Sequence, residues 1–263
     1  MNSGPLITIT SEYGSQSPYL PIIKGVLLSG NPELNLIDIS HAISPFDIFS
    51  ASYVTGKSFP AFPPGSIHMI FVDVNLPKYR RVLLAESDGH VLIASDNGIF
   101  SLMFRGREYS CYSIEVNKEE LLNSFPEKKI FSRIAIELAS GKKPGELGKP
   151  ETNMLKREMF TPIVQNNHLK GTILYVDGYQ NLITDISRKI FDVVASQHKS
   201  FEILYRRKTG ITSISTHYED VEGGELLALF NSEGLLEIAI NGGNAKDLAG
   251  MKAGGQVIIE FYD

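Results

Sequence analysis

Cysteine is almost absent: Cys111 stands alone in a chain of 263 residues. No disulfide can close within the chain, and a chain of this length buries enough surface to need none. This usage fits a reducing compartment, and Cys111, inside the strand-like run 109–116, reads as a small core residue rather than a nucleophile. A basic excess is also missing. Lys and Arg number 25 against 30 Asp and Glu, for a net charge of −5 and a pI near 5.7, which argues against nucleic acid or an anionic membrane as a partner. No apolar run approaches the roughly 20 residues that cross a bilayer, and Met1–Pro5 has neither the basic start nor the apolar core of a signal peptide. A soluble, cytoplasmic protein is expected. Several motifs are lacking as well: no G-x-G-x-x-G follows a strand, and there is no Walker loop, no G-x-S-x-G elbow and no Cys or His cluster at zinc spacing. The six histidines are scattered, and a lone one such as His41 or His68 is more often structural than a ligand. Neither a metal nor a cofactor is expected.

What is present is organised around residues 66–81, Ser-Ile-His-Met-Ile-Phe-Val-Asp-Val-Asn-Leu-Pro-Lys-Tyr-Arg-Arg. Residues 67–72 form an apolar run without Gly or Pro, the pattern of a strand buried on both faces. Asp73 stands where that strand gives out, and Arg80 and Arg81 follow on the next loop. In open α/β sheets, ligands bind outside the carboxyl ends of the strands, so a carboxylate there is placed to meet one. Equally, Asp73 could cap a turn and the arginines be solvated surface charges.

Upstream, residues 6–10 read as a β-branched strand, 19–29 as an amphipathic helix stopped by Gly30-Asn31-Pro32, 34–39 as a strand and 48–57 as a helix. This is the alternation of a parallel sheet with flanking helices. Residues 82–86 and 91–94 flank Asp88-Gly89 as a hairpin. Helices are expected at 118–124 and 130–139. Periodicity then fades over 142–167, and from Gly171 short strands at 172–176, 201–205, 226–230, 235–240 and 256–261 are separated by turn residues, with helices only at 190–197 and 245–248. The expected architecture is an α/β N-terminal domain over 1–150, a connection over 151–170, and a smaller all-β, barrel-like C-terminal domain over 171–263.

The runs Ile9-Thr-Ser-Glu-Tyr-Gly14, Lys24-Gly-Val-Leu-Leu28, Ile37-Asp-Ile-Ser-His41, Pro45-Phe-Asp47, Phe62-Pro-Pro-Gly65, Val72-Asp73, Arg80-Arg81, Asp88-Gly89 and Asp96-Asn-Gly98 occur in one order. So do Val176-Asp-Gly-Tyr-Gln-Asn-Leu-Ile-Thr184 and Ser232-Glu-Gly-Leu-Leu-Glu-Ile-Ala-Ile-Asn241. Together they resemble the S-adenosylmethionine (SAM) hydroxide adenosyltransferases, SAM hydrolases related to fluorinase and chlorinase, over nearly the whole chain. The resemblance implies a homotrimer with SAM bound between one subunit's N-domain and a neighbour's C-domain. It also implies roles for individual residues. Glu12 takes the place of an Asp that holds the ribose hydroxyls, and Phe46 that of an aromatic beside the ligand. Asp177 would face the methionine ammonium and Ser232 its carboxylate, while Tyr179 and Asn181 approach the adenine with backbone groups near Asn241 and Gly242. Ser17 and Asn97, in the loops 11–17 and 95–98, complete the expected binding set. Asp73 and Arg80 match an Asp and an Arg seven positions later that act on water in the hydrolases, which release adenosine and methionine without a cofactor.

The chain also departs from the family pattern. Asp-Pro-Gly-Val-Gly reads Asp73-Val-Asn-Leu-Pro77 here, so a glycine-dependent path is not available to the loop. The His-Gly-Arg-Asp motif is replaced by Pro126-Glu-Lys-Lys129, with Glu127 as a candidate substitute base. Gln180 stands where the family has Gly. Two other readings therefore stay open beside the hydrolase: a catalytically silent trimer that binds SAM or adenosine, and a structural or interaction protein on the same fold.

Overall fold

Every residue of β1 (Leu6–Ser11) after Leu6 is buried, and its side chains point alternately to the two faces of a sheet. The computed structural model describes residues 4–122, 124–158, 161–205 and 208–263, and the chain divides into two units, Met1–Glu158 and Met159–Asp263. In the first, β1 is followed by α1 (Tyr19–Gly30), β2 (Asn35–Ser40), α2 (Ile48–Ser58) and β3 (Ile67–Phe71). Both β2 and β3 lie parallel to β1, one on each side. This is the alternation expected. Next come α3 (Leu76–Tyr79) and the hairpin of β4 (Arg81–Ser87) and β5 (His90–Ser95), whose turn holds Asp88 at φ 51° and Gly89 at φ 79°. The unit closes with α4 (Ile99–Met103), β6 (Ser110–Glu115), α5 (Pro126–Ala139), α6 (Pro144–Leu147) and β7 (Lys149–Pro150). The sheet runs β2-β1-β3-β5-β4-β6-β7, parallel through β5 and antiparallel beyond it.

Ile7 and Ile9 of β1 and Met69 and Phe71 of β3 share one core cluster with Leu20, Ile23 and Leu27 of α1 and Ile130, Phe131 and Ile134 of α5. Each such side chain contributes about 1.5–3 kcal/mol on burial, so this cluster holds β1 and β3 against α1 and α5. The opposite face of β1 is polar. Thr55 of α2 donates to Thr10 Oγ1 at 3.1 Å, Thr8 Oγ1 lies 2.7 Å from His68 Nδ1, and His68 Nε2 lies 3.1 Å from His90 Nδ1. Cys111 is buried in β6, and burial pushes its thiol up to about 12.

Besides the short elements α4, α6 and β7, which the sequence reading did not name, two stretches of the first unit differ from it. The helix expected at 118–124 is a 3₁₀ turn, Glu120–Leu122, with Asn123 outside the described residues. Pro126 forces the chain to be extended just before α5, and Phe125 sits at φ −137°, which leaves no room for a longer helix. The loop expected over 73–80 contains α3 instead. Here Asn75 Oδ1 accepts from Lys78 N–H at 3.1 Å, and Pro77 occupies the first turn, where its missing N–H costs nothing.

The second unit is β8 (Ile163–Gln165), β9 (His168–Val176), β10 (Leu182–Ser187), α7 (Arg188–Ala195), β11 (Ser200–Tyr205), β12 (Lys208–Ile211), β13 (Leu226–Phe230), β14 (Leu235–Ile240), α8 (Ala245–Ala249) and β15 (Gln256–Tyr262). Its sheet runs β12-β11-β15-β9-β10-β14-β13, with β8 on β9 and every strand pairing antiparallel. The two end strands come close, and Ser215 bridges to Leu229, so the sheet nearly closes on itself around Leu169, Ile173, Leu182, Ile238 and Ile259. The all-β reading of this half is what the fold shows.

Candidate active site

The carboxyl ends of β1 and β3 lie side by side and carry Glu12 and Asp73. One carboxylate ties three loops together. Glu12 Oε1 accepts from Asp73 N–H at 3.1 Å, and Glu12 Oε2 accepts from Phe46 N–H. Both donors belong to residues in the left-handed region, Phe46 at φ 65° and Asp73 at φ 46°, a conformation that costs a non-glycine residue about 1–2 kcal/mol. Charge-assisted hydrogen bonds to Glu12 offset that cost. Burial raises the Glu12 carboxyl above its ordinary range, while the two N–H donors and then the charge of Asp73 act less strongly.

Asp73 is held from several sides. Its carbonyl accepts from Ser95 Oγ at 3.3 Å and from Asn97 Nδ2 at 3.4 Å, and Tyr79 O–H donates to Asp73 Oδ2 at 2.9 Å. Asn97 is fully buried, with Nδ2 also donating to Val72 O at 2.9 Å and Oδ1 accepting from Ile99 N–H at 3.1 Å. Its amide thus pins the end of β3 from beneath. The two arginines have separate fates. Arg80 caps α3 at φ 57° and is exposed, and its side chain makes no hydrogen bond or ion pair with a described residue. Arg81 pairs with Asp96 and Glu151 and donates to Asn153 O at 3.2 Å. Lys78, Tyr79, Arg81 and Asp96 line one side of a groove of about 800 Å³, with residues 152–157 on the other.

Behind Glu12, Tyr13 O–H donates to Glu127 Oε1 at 3.1 Å, and the Tyr13 ring packs against Tyr19, Phe71 and Phe125. Glu127, in the first turn of α5, is buried, and burial raises its carboxyl. Ser17 is half-buried and accepts from Tyr19 N–H at 3.3 Å at the start of α1. Phe46 is 73% exposed. It directly precedes Asp47, whose carboxylate caps α2 by accepting from Ser50 N–H at 3.0 Å.

In the second unit, Asp177 organises the turn after β9: Oδ1 accepts from Tyr179 N–H at 2.9 Å and Asn181 N–H at 2.8 Å, and Oδ2 from Asn181 Nδ2 at 3.3 Å. Gln180 sits at φ 66°, so the position keeps a left-handed backbone without glycine. Tyr179 and Asn181 line a cavity of about 630 Å³ with Tyr218, Ile240, Gly242 and Gly243, within the size range of small-molecule sites. Asn241 lies beside that lining, its Nδ2 donating to Val221 O at 2.9 Å. Ser232 is exposed on the turn before β14.

Tyr13, Tyr79 and Tyr218 are contributors that the sequence reading did not name. Tyr218 O–H donates to buried Glu237 Oε1 at 2.8 Å, which fixes its ring at the cavity wall. No periodic pattern surrounds Tyr218, and Glu237 reads as one polar residue in an apolar strand, so only their meeting in space reveals the pair.

A mixed α/β unit with carboxylates at its strand ends, followed by a barrel-like unit with an aromatic-lined cavity, defines a two-domain class of protein. The chain belongs to the SAM hydroxide adenosyltransferase family: its N-terminal domain model matches residues 7–148 and its C-terminal domain model residues 171–258. It is 26% identical over 255 residues to the (R)-S-adenosyl-L-methionine hydrolase of Methanocaldococcus jannaschii, covering 92% of this chain and 91% of that protein. A fluorinase of Nocardia brasiliensis is more distant, at 22% identity over 95% of each chain. The crystal structure of an uncharacterized conserved protein from Thermotoga maritima superposes with a TM-score of 0.85 at 27% identity, covering 96% of this chain and 99% of that one.

Proposed function

We propose that this chain hydrolyses SAM to adenosine and methionine, with Asp73 orienting the attacking water and taking its proton. The observation that carries the reading is the Asp73 carboxylate, fixed at the carboxyl end of β3 with Oδ2 taken by Tyr79 and Oδ1 accepting from no described residue. Membership of a family whose M. jannaschii relative is named a SAM hydrolase supports it. In the proposed step, the water oxygen forms a bond to ribose C5′ while the C5′–S bond breaks. The bonding pair leaves with sulfur, which becomes the neutral thioether of methionine, and the water proton passes to Asp73. A sulfonium is a good leaving group, so orientation and partial deprotonation of water are the main demands. No Lewis acid or cofactor is needed, and a chelator should leave the rate unchanged.

Binding would divide between the two sets of residues. Each Glu12 oxygen retains a lone pair for a ribose hydroxyl, and Arg80 offers an exposed guanidinium. Tyr179 and Tyr218 offer aromatic faces to the adenine, while Asp177 and Ser232 meet the amino-acid end. Phe46 is 73% and Tyr179 82% exposed, which supports a homotrimer whose sites lie between subunits, covering both rings; light scattering that gave a monomer would reject it. A cytoplasmic location is proposed on the single buried cysteine. Among the described residues, no helix is long and apolar enough to cross a membrane.

The test is incubation of the protein with SAM in ¹⁸O-labelled water. Adenosine carrying the label at its 5′ oxygen is the expected product, and SAM returned intact rejects the reading. One observation favours a second reading, a binding protein without turnover: in the stretch that replaces the family's histidine motif, Glu127 is buried and engaged by Tyr13. Calorimetric SAM binding without adenosine release would establish it. Glu127→Gln should slow turnover about as much as loss of Asp73 if Glu127 has become a proton acceptor, and should be nearly silent otherwise.

A further inference from the structure

We propose that Tyr79 is a positioning residue for the reaction, selecting which oxygen of Asp73 faces water; this rests on the reading of Asp73 given above. The Asp73 backbone is fixed by Glu12 at its N–H and by Ser95 and Asn97 at its carbonyl. Its side-chain torsions are not set by any of these contacts. Tyr79 supplies the missing constraint, because its O–H donates to Oδ2 at 2.9 Å and leaves Oδ1 without a donor among the described residues.

Tyr79 is itself held in place. It ends α3, whose first residue, Leu76, is fully buried and whose cap, Asn75, accepts from Lys78 N–H. Lys78 Nζ lies 3.4 Å from the Tyr79 oxygen and 4.9 Å from the centre of its ring. A lysine donating to the phenol oxygen polarises the O–H toward Asp73, so the two hydrogen bonds strengthen each other. Arg80, the residue expected to work beside Asp73, is exposed and makes no side-chain bond with a described residue. The carboxylate is therefore aimed by a residue one position earlier, on a helical turn that stands in place of the family's glycine-rich path.

The experiment is a double-mutant cycle between Tyr79→Phe and Asp73→Asn, with kcat and KM measured for SAM hydrolysis and SAM affinity by calorimetry. Tyr79→Phe should lower kcat by about 10-fold or more, the scale of a lost hydrogen bond to a charged group, with KM and SAM affinity unchanged. On the Asp73→Asn background the same substitution should cost nothing further. Retained SAM affinity also certifies the fold of each variant. Tyr79→Phe as fast as the parent, a loss in KM alone, or losses that add on the Asp73→Asn background each overturn the role of Tyr79 while leaving that of Asp73 intact. A parent that forms no adenosine, or an Asp73→Asn variant as active as the parent, overturns the reading of Asp73 and this role with it.

Discussion

Replacing Asp73 by Asn keeps the shape of the side chain and removes the acceptor, so Asp73→Asn should lower kcat by on the order of 10²-fold with little change in SAM affinity, as for a group acting mainly in the transition state. Steady-state kinetics beside calorimetry checks this, and a parallel loss of affinity would mean that Asp73 holds substrate instead. Asp73 was legible because it follows directly on an apolar run that ends in a charge, whereas Glu12, behind Thr10 and Ser11, was named only through the family resemblance. The partners of those carboxylates were not legible. Tyr79 stands six positions after Asp73 in a stretch without periodicity, and Glu12 meets Phe46 and Asp73 through backbone N–H groups, which carry no signature of residue type. Arg80 and Arg81 are adjacent and identical in type, so only the fold separates the exposed one from the one paired with Asp96 and Glu151.

At the scale of an element, α3 is four residues long and relies on its cap. Asn75→Ala removes the acceptor for Lys78 N–H and should destabilise the protein by about 1 kcal/mol. It should also reduce kcat by releasing Tyr79 from Asp73. Chemical denaturation and kinetics on the same variant test both effects; lost stability with full activity would show that the turn does not govern the carboxylate. The long elements could be read from periodicity and from punctuation such as Gly30-Asn31-Pro32. Short ones, α3 and α4 among them, fall below the length at which a hydrophobic period can be recognised. The strands of the second half were visible for the opposite reason, since turn residues delimit them closely.

At the scale of the whole molecule, the buried histidines set an acid limit on stability. Burial, and then the charge of His90, hold His68 at a pKa of about 3, and burial also lowers that of His90. His68 therefore stays neutral in the folded protein at pH values where an unfolded histidine, below roughly pH 6.5, takes a proton. The contribution of His68 is thus fully present above about pH 6.5 and is lost as the pH falls toward its folded value, at about 1.4 kcal/mol per pH unit while only the unfolded form is protonated; His90 acts in the same sense. Glu12 and Glu127, with raised carboxyls, act in the opposite sense nearer their own range. Denaturation midpoints should fall between pH 6.5 and 5, and His68→Leu, although less stable at pH 7, should show a shallower fall. An unchanged slope in that variant would assign the acid sensitivity elsewhere.

The bridge made by Glu12 also bears on how this sequence could have diverged. A carboxylate that meets the N–H of Phe46 and the N–H of Asp73 at once acts as a spacer, and its length sets the distance between two loops. The aspartate that the family resemblance puts at this position is shorter by one methylene, so it can span the same two groups only where they stand closer together. In this chain the path after the strand is instead a capped helical turn anchored by buried Leu76. The longer acid and the helical turn are then expected to act as a matched pair. Glu12→Asp alone should therefore loosen one of the two loops, raising the exchange rate of the Phe46 or the Asp73 amide hydrogen while the other stays protected, and neither substitution can be judged without its counterpart.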